Sequence, residues 1–295
     1  MARKHWIYGS LLLLIFGCKL ESKDSQYANQ ADLSLQAEKK PESLVNPEGK
    51  TLESRFHLPE GYERLKVVEN SFAHYLRHLK LKGHGGSVSY FDGRKKTNRG
   101  VYEAVVDLPI GKRDLHQCAD AVMRLWAEHH FEQKDFDKIH FNFTNGFRVE
   151  YNEWRKGKRI VVKGNRSYWS PSASPSDSYQ SFWKYMEIIF SYAGTLSLEK
   201  ELKAVSVKDM QIGDVFIQGG SPGHAIIVVD MAEHTESGKK IFMLAQSYMP
   251  AQETQILKNP HDESISPWYT LDFGENLYTP EWNFRAADLK RFVDW

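Results

Sequence analysis

The stretch from Gly213 to Ala245 constrains the fold more than any other part of the chain. Val215 to Gln218, Ala225 to Val229 and Ile241 to Ala245 are apolar runs of strand length. The loop Gly219-Gly220-Ser221-Pro222-Gly223 and the polar turn Glu233 to Lys240 separate them. Short runs rich in Val and Ile, joined by short loops, predict an antiparallel meander. The middle run is apolar at every position from Ala225 to Val229, so both of its faces need cover. The rest of the chain must supply that cover.

Helical periodicity supplies part of it. Leu115, Cys118, Ala119, Val122, Leu125, Trp126 and His129 recur at helical spacing and predict a helix to about His130. Asp114 to Gln117 fits a capping box at its start, with Asp114 as N-cap. Tyr179 to Tyr192 reads as an aromatic helix stopped by Gly194, and Ser197 as the cap of a short helix to about Ala204. A helix is also expected over Asn70 to Leu81, with Asn70 or Ser71 as its cap, and another over Ala286 to Val293. Strands are expected at Ser87 to Phe91, Val101 to Leu108, Ile139 to Phe143, Phe147 to Tyr151 and Arg159 to Val162. Ser167 to Ser178, rich in Ser and Pro, reads as a loop.

The N-terminus has a different character. Arg3, Lys4 and His5 precede the apolar run Leu11 to Phe16, which Gly17-Cys18 closes. That run is too short to cross ~30 Å of hydrocarbon and has the flanks of a secretion signal. Ile15-Phe16-Gly17-Cys18 resembles the lipobox of bacterial lipoproteins, which implies acylation of Cys18 and more than one buried lipid chain, enough for stable anchoring. Residues 18–54, rich in Lys, Glu, Ser, Gln, Asn and Pro, cannot bury enough surface to offset chain entropy and read as a disordered tether. The expected organisation is a signal peptide over 1–17, a lipidated tether over 18–54 and one globular domain over 55–295, lipid-anchored in a bacterial envelope. An outer-membrane anchor, on the periplasmic or surface face, is expected.

Charge excludes one class of partner. The 39 Lys and Arg against 38 Asp and Glu leave a net charge of +1, without the basic excess that nucleic-acid binding requires. The runs Arg94-Lys95-Lys96 and Arg155 to Arg159 are short and read as solvated surface. With Cys18 acylated, Cys118 has no intrachain partner, and a lone thiol in an exported protein is either inert in the core or present for its reactivity. His224 follows the glycine-bearing loop at the start of the central strand, and Gln246 and Ser247 end the next strand. A cysteine at a helix start, a histidine from an antiparallel sheet and a polar orienter are the parts that nucleophilic thiol catalysis needs. The helix start itself favours a thiolate. Asp230, at the far end of the histidine strand, is too remote to take part.

Two resemblances follow from these residues. Gly213-Asp214-Val215-Phe216 with Gly223-His224-Ala225-Ile226-Ile227-Val228-Val229-Asp230 is similar to the Gly-Asp and His-strand signature of NlpC/P60 and CHAP cell-wall hydrolases. Ala119-Asp120 follows the cysteine where those domains carry a small polar pair, and the Cys118–His224 spacing is longer. Most of the chain from about Phe56 resembles the DUF4846 family of uncharacterised bacterial proteins. That match rests on Arg113-Asp114-Leu115, Gln117-Cys118-Ala119-Asp120-Ala121, Tyr192-Ala193-Gly194-Thr195, Gly213 to Ile217, Ser221 to Ala225 and Leu244 to Gln252.

The first resemblance implies an α+β, papain-like core with an antiparallel sheet, a helix carrying Cys118, and extra strands and helices. It also implies a hydrolase of amide bonds with Cys118 as nucleophile, His224 as base and Gln246 as orienter. Gln117, by analogy of position, is a candidate oxyanion donor. The substrate class that follows is a cell-wall peptide or envelope protein. No cofactor is expected, and the adjacent His129 and His130 form no recognised metal motif. The alternative is a non-catalytic envelope protein that holds glycan or peptide in an aromatic groove formed around Tyr168-Trp169, Trp268-Tyr269 and Trp282.

Overall fold

The apolar runs between Val215 and Ala245 pair as an antiparallel meander and extend at both edges into one large sheet. The computed structural model describes residues 43–293. Cys18, the leader and the tether as far as Glu42 lie outside the described residues. Among those described, no helix is long and apolar enough to cross a membrane.

Among the described residues there are six α-helices: α1 (Leu52–Arg55), α2 (Phe72–Arg77), α3 (Cys118–Gln133), α4 (Tyr151–Arg155), α5 (Tyr179–Tyr192) and α6 (Thr195–Glu201). In chain order the strands begin with β1 (Tyr62–Arg64) and β2 (Tyr102–Val105), followed by the hairpins β3 (His140–Asn142) with β4 (Arg148–Glu150) and β5 (Lys158–Lys163) with β6 (Arg166–Pro171). Then come β7 (Lys203–Ala204), β8 (Val215–Gln218), β9 (His224–His234), β10 (Lys240–Gln246), β11 (Gln255–Leu257) and β12 (Tyr269–Thr270). The chain closes with β13 (Asn276–Tyr278), β14 (Asn283–Arg285) and β15 (Leu289–Arg291).

The main sheet runs β2-β11-β10-β9-β8-β15-β7, with β1 on β9 and β12 on β10, every pair antiparallel. The molecule is thus mixed α and β around a large antiparallel sheet, with few helices. Two cores flank the sheet, as the apolar centre of β9 requires. Ala225, Ile227 and Val229 face one core with Ala119, Val122, Met123 and Trp126 of α3 and with α5 and α6. Ile226 and Val228 face the other, with Phe216, Leu244 and Phe284.

Several expectations are corrected, each by a tertiary partner. Residues 43–54, which composition assigns to the tether, include packed chain: Leu52 is fully buried, and the buried Arg55 guanidinium donates to the Gly49 carbonyl. The helix expected over Asn70 to Leu81 shrinks to α2, capped by Ser71, because the backbone of Leu81 and Lys82 bonds Lys50 and Val105 instead. Ser87 to Phe91 makes isolated bridges at Ser89 and Tyr90 and not a strand. The Ser/Pro-rich loop is a strand as far as Pro171, because β5 offers it a full ladder. The closing helix is a 3-10 turn (Ala286–Asp288) followed by β15, since the open edge of β8 captures Leu289 and Lys290. Gly194 rather than Ser197 caps α6, with the Ser197 hydroxyl accepting the Gly194 N–H. By contrast α5 has the bounds its periodicity predicts, with Phe182, Tyr185, Met186, Ile189 and Phe190 buried along one stripe and the Ser178 hydroxyl as cap.

Candidate active site

The start of α3 is built differently from the expected capping box. The helix begins at Cys118, Gln117 is its N-cap, and the Asp120 carboxylate reaches back 3.0 Å to the Gln117 N–H. Asp114 instead accepts from the Ala251 N–H (2.7 Å) and the Gln117 side-chain amide (3.2 Å). Asp114 thereby ties the loop at Ala251 to the N-cap of the helix. Cys118 keeps 6% of its surface exposed and lines a cleft of about 430 Å³ with Gln117, Asp120, Thr195, Gly220 and Gly223.

His224 opens β9 from the other direction. Its alternation places it on the face of Ile226, where its ring packs against Tyr248, Trp282 and Phe284 at centroid distances of 4.8, 5.4 and 5.9 Å. It is 1% exposed. Helix α3 lies on the opposite face, so the His224 ring and α3 flank opposite faces of the sheet where β9 begins. The Ala225 N–H, one residue beyond His224, points at the Cys118 sulfur. No direct hydrogen bond joins thiol and imidazole. Unbound sites often hold such pairs apart and tighten them around substrate.

Gln246 meets His224 directly, its Oε1 2.8 Å from Nε2. The Gln246 amide nitrogen donates to the Glu281 carboxylate at 2.7 Å, and a carboxylate of this kind can only accept. Oε1 is therefore the end that faces the ring, and His224 must carry its proton on Nε2, leaving a lone pair on Nδ1. Glu281 is itself paired with Lys96 at 2.6 Å, and Lys96 also donates to Gln252 Oε1 at 3.1 Å.

Burial sets the protonation states. It pushes the Cys118 thiol up to about 11, against the pull of the Ala225 N–H. It pushes His224 down to about 4, with the Gln246 hydrogen bond opposing and the Lys96 charge adding to the fall. Desolvation thus outweighs the helix start, and the resting pair is a neutral thiol beside a neutral imidazole. The Tyr248 hydroxyl is raised by burial, then by Glu281 and by Cys118, which places it within electrostatic reach of the sulfur.

The other singled-out residues have definite places. Ser247 donates into the His116 and Gln252 carbonyls and shapes the turn after β10. Asp214 of the Gly-Asp pair accepts Arg291 at 2.6 and 2.8 Å and anchors β8 to β15. Asp230 is fully buried between Arg64 (2.8 Å) and Arg77 (2.7 Å). Trp268 and Tyr269 are core residues and Trp282 lies against His224, while Tyr168 is 43% exposed. Sequence reasoning missed Lys96, Tyr248 and Glu281. Lys96, read as solvated surface, is 4% exposed because Glu281 and Gln252 receive its charge. No spacing rule connects positions so far apart in the chain.

Comparison with known proteins returns one family. No curated protein and no solved structure matches the chain. The family model described as a domain of unknown function (4846) matches residues 52–291, from the buried Leu52 to the last strand of the sheet. The chain therefore belongs to the DUF4846 family, and the Cys118, His224 and Gln246 cluster lies within its family domain.

Proposed function

We propose that this chain is a lipid-anchored envelope protein whose domain is a papain-like, cysteine-dependent amide hydrolase. Cys118 is the nucleophile, His224 the base and then the acid, and Gln246 the orienter. The observation that carries the reading is the 2.8 Å contact of His224 Nε2 with Gln246 Oε1, at a histidine whose neighbour Ala225 directs its N–H at the Cys118 sulfur. Such a cluster has a nucleophile, a base with a free lone pair and a group that fixes the base.

In the proposed reaction His224 Nδ1 takes the Cys118 thiol proton as the sulfur attacks the substrate carbonyl carbon. The carbonyl electrons move onto oxygen, and Gln117, which lines the same cleft, is the proposed donor to that oxyanion. When the tetrahedral centre collapses the C–N bond breaks, His224 returns the proton to the leaving amine, and a thioester remains on Cys118. Water, deprotonated by His224, attacks the thioester and releases the acid and the free thiol. Because the resting thiol is neutral, proton transfer accompanies attack rather than preceding it.

The substrate class is an amide of cell-wall peptides or envelope proteins, and the membrane is the partner reached through Cys18. The test is digestion of muropeptides by the full chain carrying Cys18→Ser, followed by mass spectrometry. New amine and carboxyl ends are expected, reduced by about a thousandfold or more in Cys118→Ala and in His224→Ala. Muropeptides and envelope proteins left intact by the unsubstituted site would overturn the reading.

A further inference from the structure

We propose that Glu281 is a positioning residue that sets the tautomer of His224 through the Gln246 side chain. A glutamine amide has two ends of nearly equal size, one a donor and one an acceptor. Packing alone does not choose between them. If the Gln246 amide were reversed, its N–H would donate to His224 Nε2 and the ring proton would have to sit on Nδ1. The nitrogen left for proton abstraction would then be the one already engaged by Gln246.

The structure contains the group that prevents this. Glu281 Oε2 lies 2.7 Å from the Gln246 amide nitrogen, and the carboxylate rejects the carbonyl end. Lys96 Nζ pairs with the same oxygen at 2.6 Å, and Gln252 Oε1 at 3.1 Å fixes the lysine. The order is therefore ammonium, carboxylate, amide, imidazole, with each donor and acceptor assigned by its neighbour. Lys96 is remote in sequence from all three and buried, an arrangement a chain does not keep for solvation. Trp282, next to Glu281, donates its Nε1–H to Gln218 at 2.9 Å and covers the ring. One short segment thus both shields and orients the histidine. The catalytic meaning of this chain of bonds rests on the thiol-hydrolase reading, whereas the tautomer does not.

The test is imidazole nitrogen NMR of the full chain with 15N-labelled histidine at neutral pH, His224 being assigned by the signals lost in His224→Gln. The expected wild-type pattern is a protonated Nε2 and a pyridine-like Nδ1. In Glu281→Gln and Glu281→Met the pattern should split or invert, while the His116 signals stay in place as a check on folding. The two replacements differ in polarity, so a folded sample of either is sufficient. A wild-type Nδ1–H pattern overturns the proposal on its own, as does an unaltered pattern in a folded variant. Muropeptide digestion in the same samples separates the two readings. A tautomer that shifts in a protein without amide hydrolysis leaves Glu281 as positioning residue and overturns the hydrolase. Hydrolysis by a wild type that is protonated on Nδ1 does the reverse.

Discussion

At the scale of single residues, burial decides what the candidate pair does at rest. A thiol at a helix start is expected to be acidic, but Cys118 is almost enclosed, and desolvation raises it to about 11. Iodoacetamide labelling of Cys118 in the Cys18→Ser chain at neutral pH should therefore be roughly tenfold to a hundredfold slower than that of an exposed cysteine, and should accelerate as pH rises toward 11. Rapid labelling at neutral pH, read by intact mass, would show a resting thiolate and contradict the neutral pair. The identities of Cys118, His224 and Gln246 as candidates were legible from the sequence, because a lone thiol and a Gly-His strand start are local signals. Lys96 and Glu281 were not legible. Their roles depend on a contact between segments 185 residues apart in the chain.

At the scale of elements, β9 organises the molecule, and its two ends have different tasks. Its first residue contributes the candidate base, and Asp230 further along holds neighbouring elements in place. Arg64 of β1 and Arg77 of α2 both converge on the fully buried Asp230 carboxylate. Asp230→Ala should cost about 3–5 kcal/mol in urea unfolding, because it leaves buried guanidinium charge without its partner. A loss near zero would mean that water reaches the arginines. The meander and α5 could be read from periodicity, since both bury a stripe or face that repeats along the chain. The start of α3 could not, because the choice between Asp114 and Asp120 as capping carboxylate was made by Ala251, a loop residue that takes Asp114 for itself.

At the scale of the whole molecule, buried histidines link stability to pH. Burial holds His116 near 3 and His130, His140 and His224 near 4, against 6.5 for the free side chain. The unfolded chain takes up these protons near 6.5 and the folded chain does not, so the stability they contribute is present above that pH and is lost as pH falls toward 4. Glu201, raised by burial to about 7, and Asp120, Glu132 and Asp214, also raised by burial, work the other way over part of this range, because folding favours their protonated forms. With His129, also lowered by burial, five histidines stand against four carboxylates, which leaves a net loss of stability between pH 7 and pH 5, measurable as a lower urea midpoint. Glu201→Gln should deepen that pH dependence, and a midpoint that rises on acidification would contradict the balance.

The sequence by itself determined the central meander, the aromatic helix, the strands of the Ile139 to Tyr151 segment, and the lone cysteine and histidine as candidates. These features are written in periods of two or 3.6 residues or in single turn residues, and neighbours along the chain suffice to express them. The tertiary structure decided the strand at Leu289, the strand in the Ser/Pro-rich segment and the burial of Leu52, because each depends on an edge or a cavity offered by distant chain. It also decided the chemistry of the candidate site. A pKa follows from which groups surround a side chain and how much water reaches it, and a tautomer from which atom a remote carboxylate will accept.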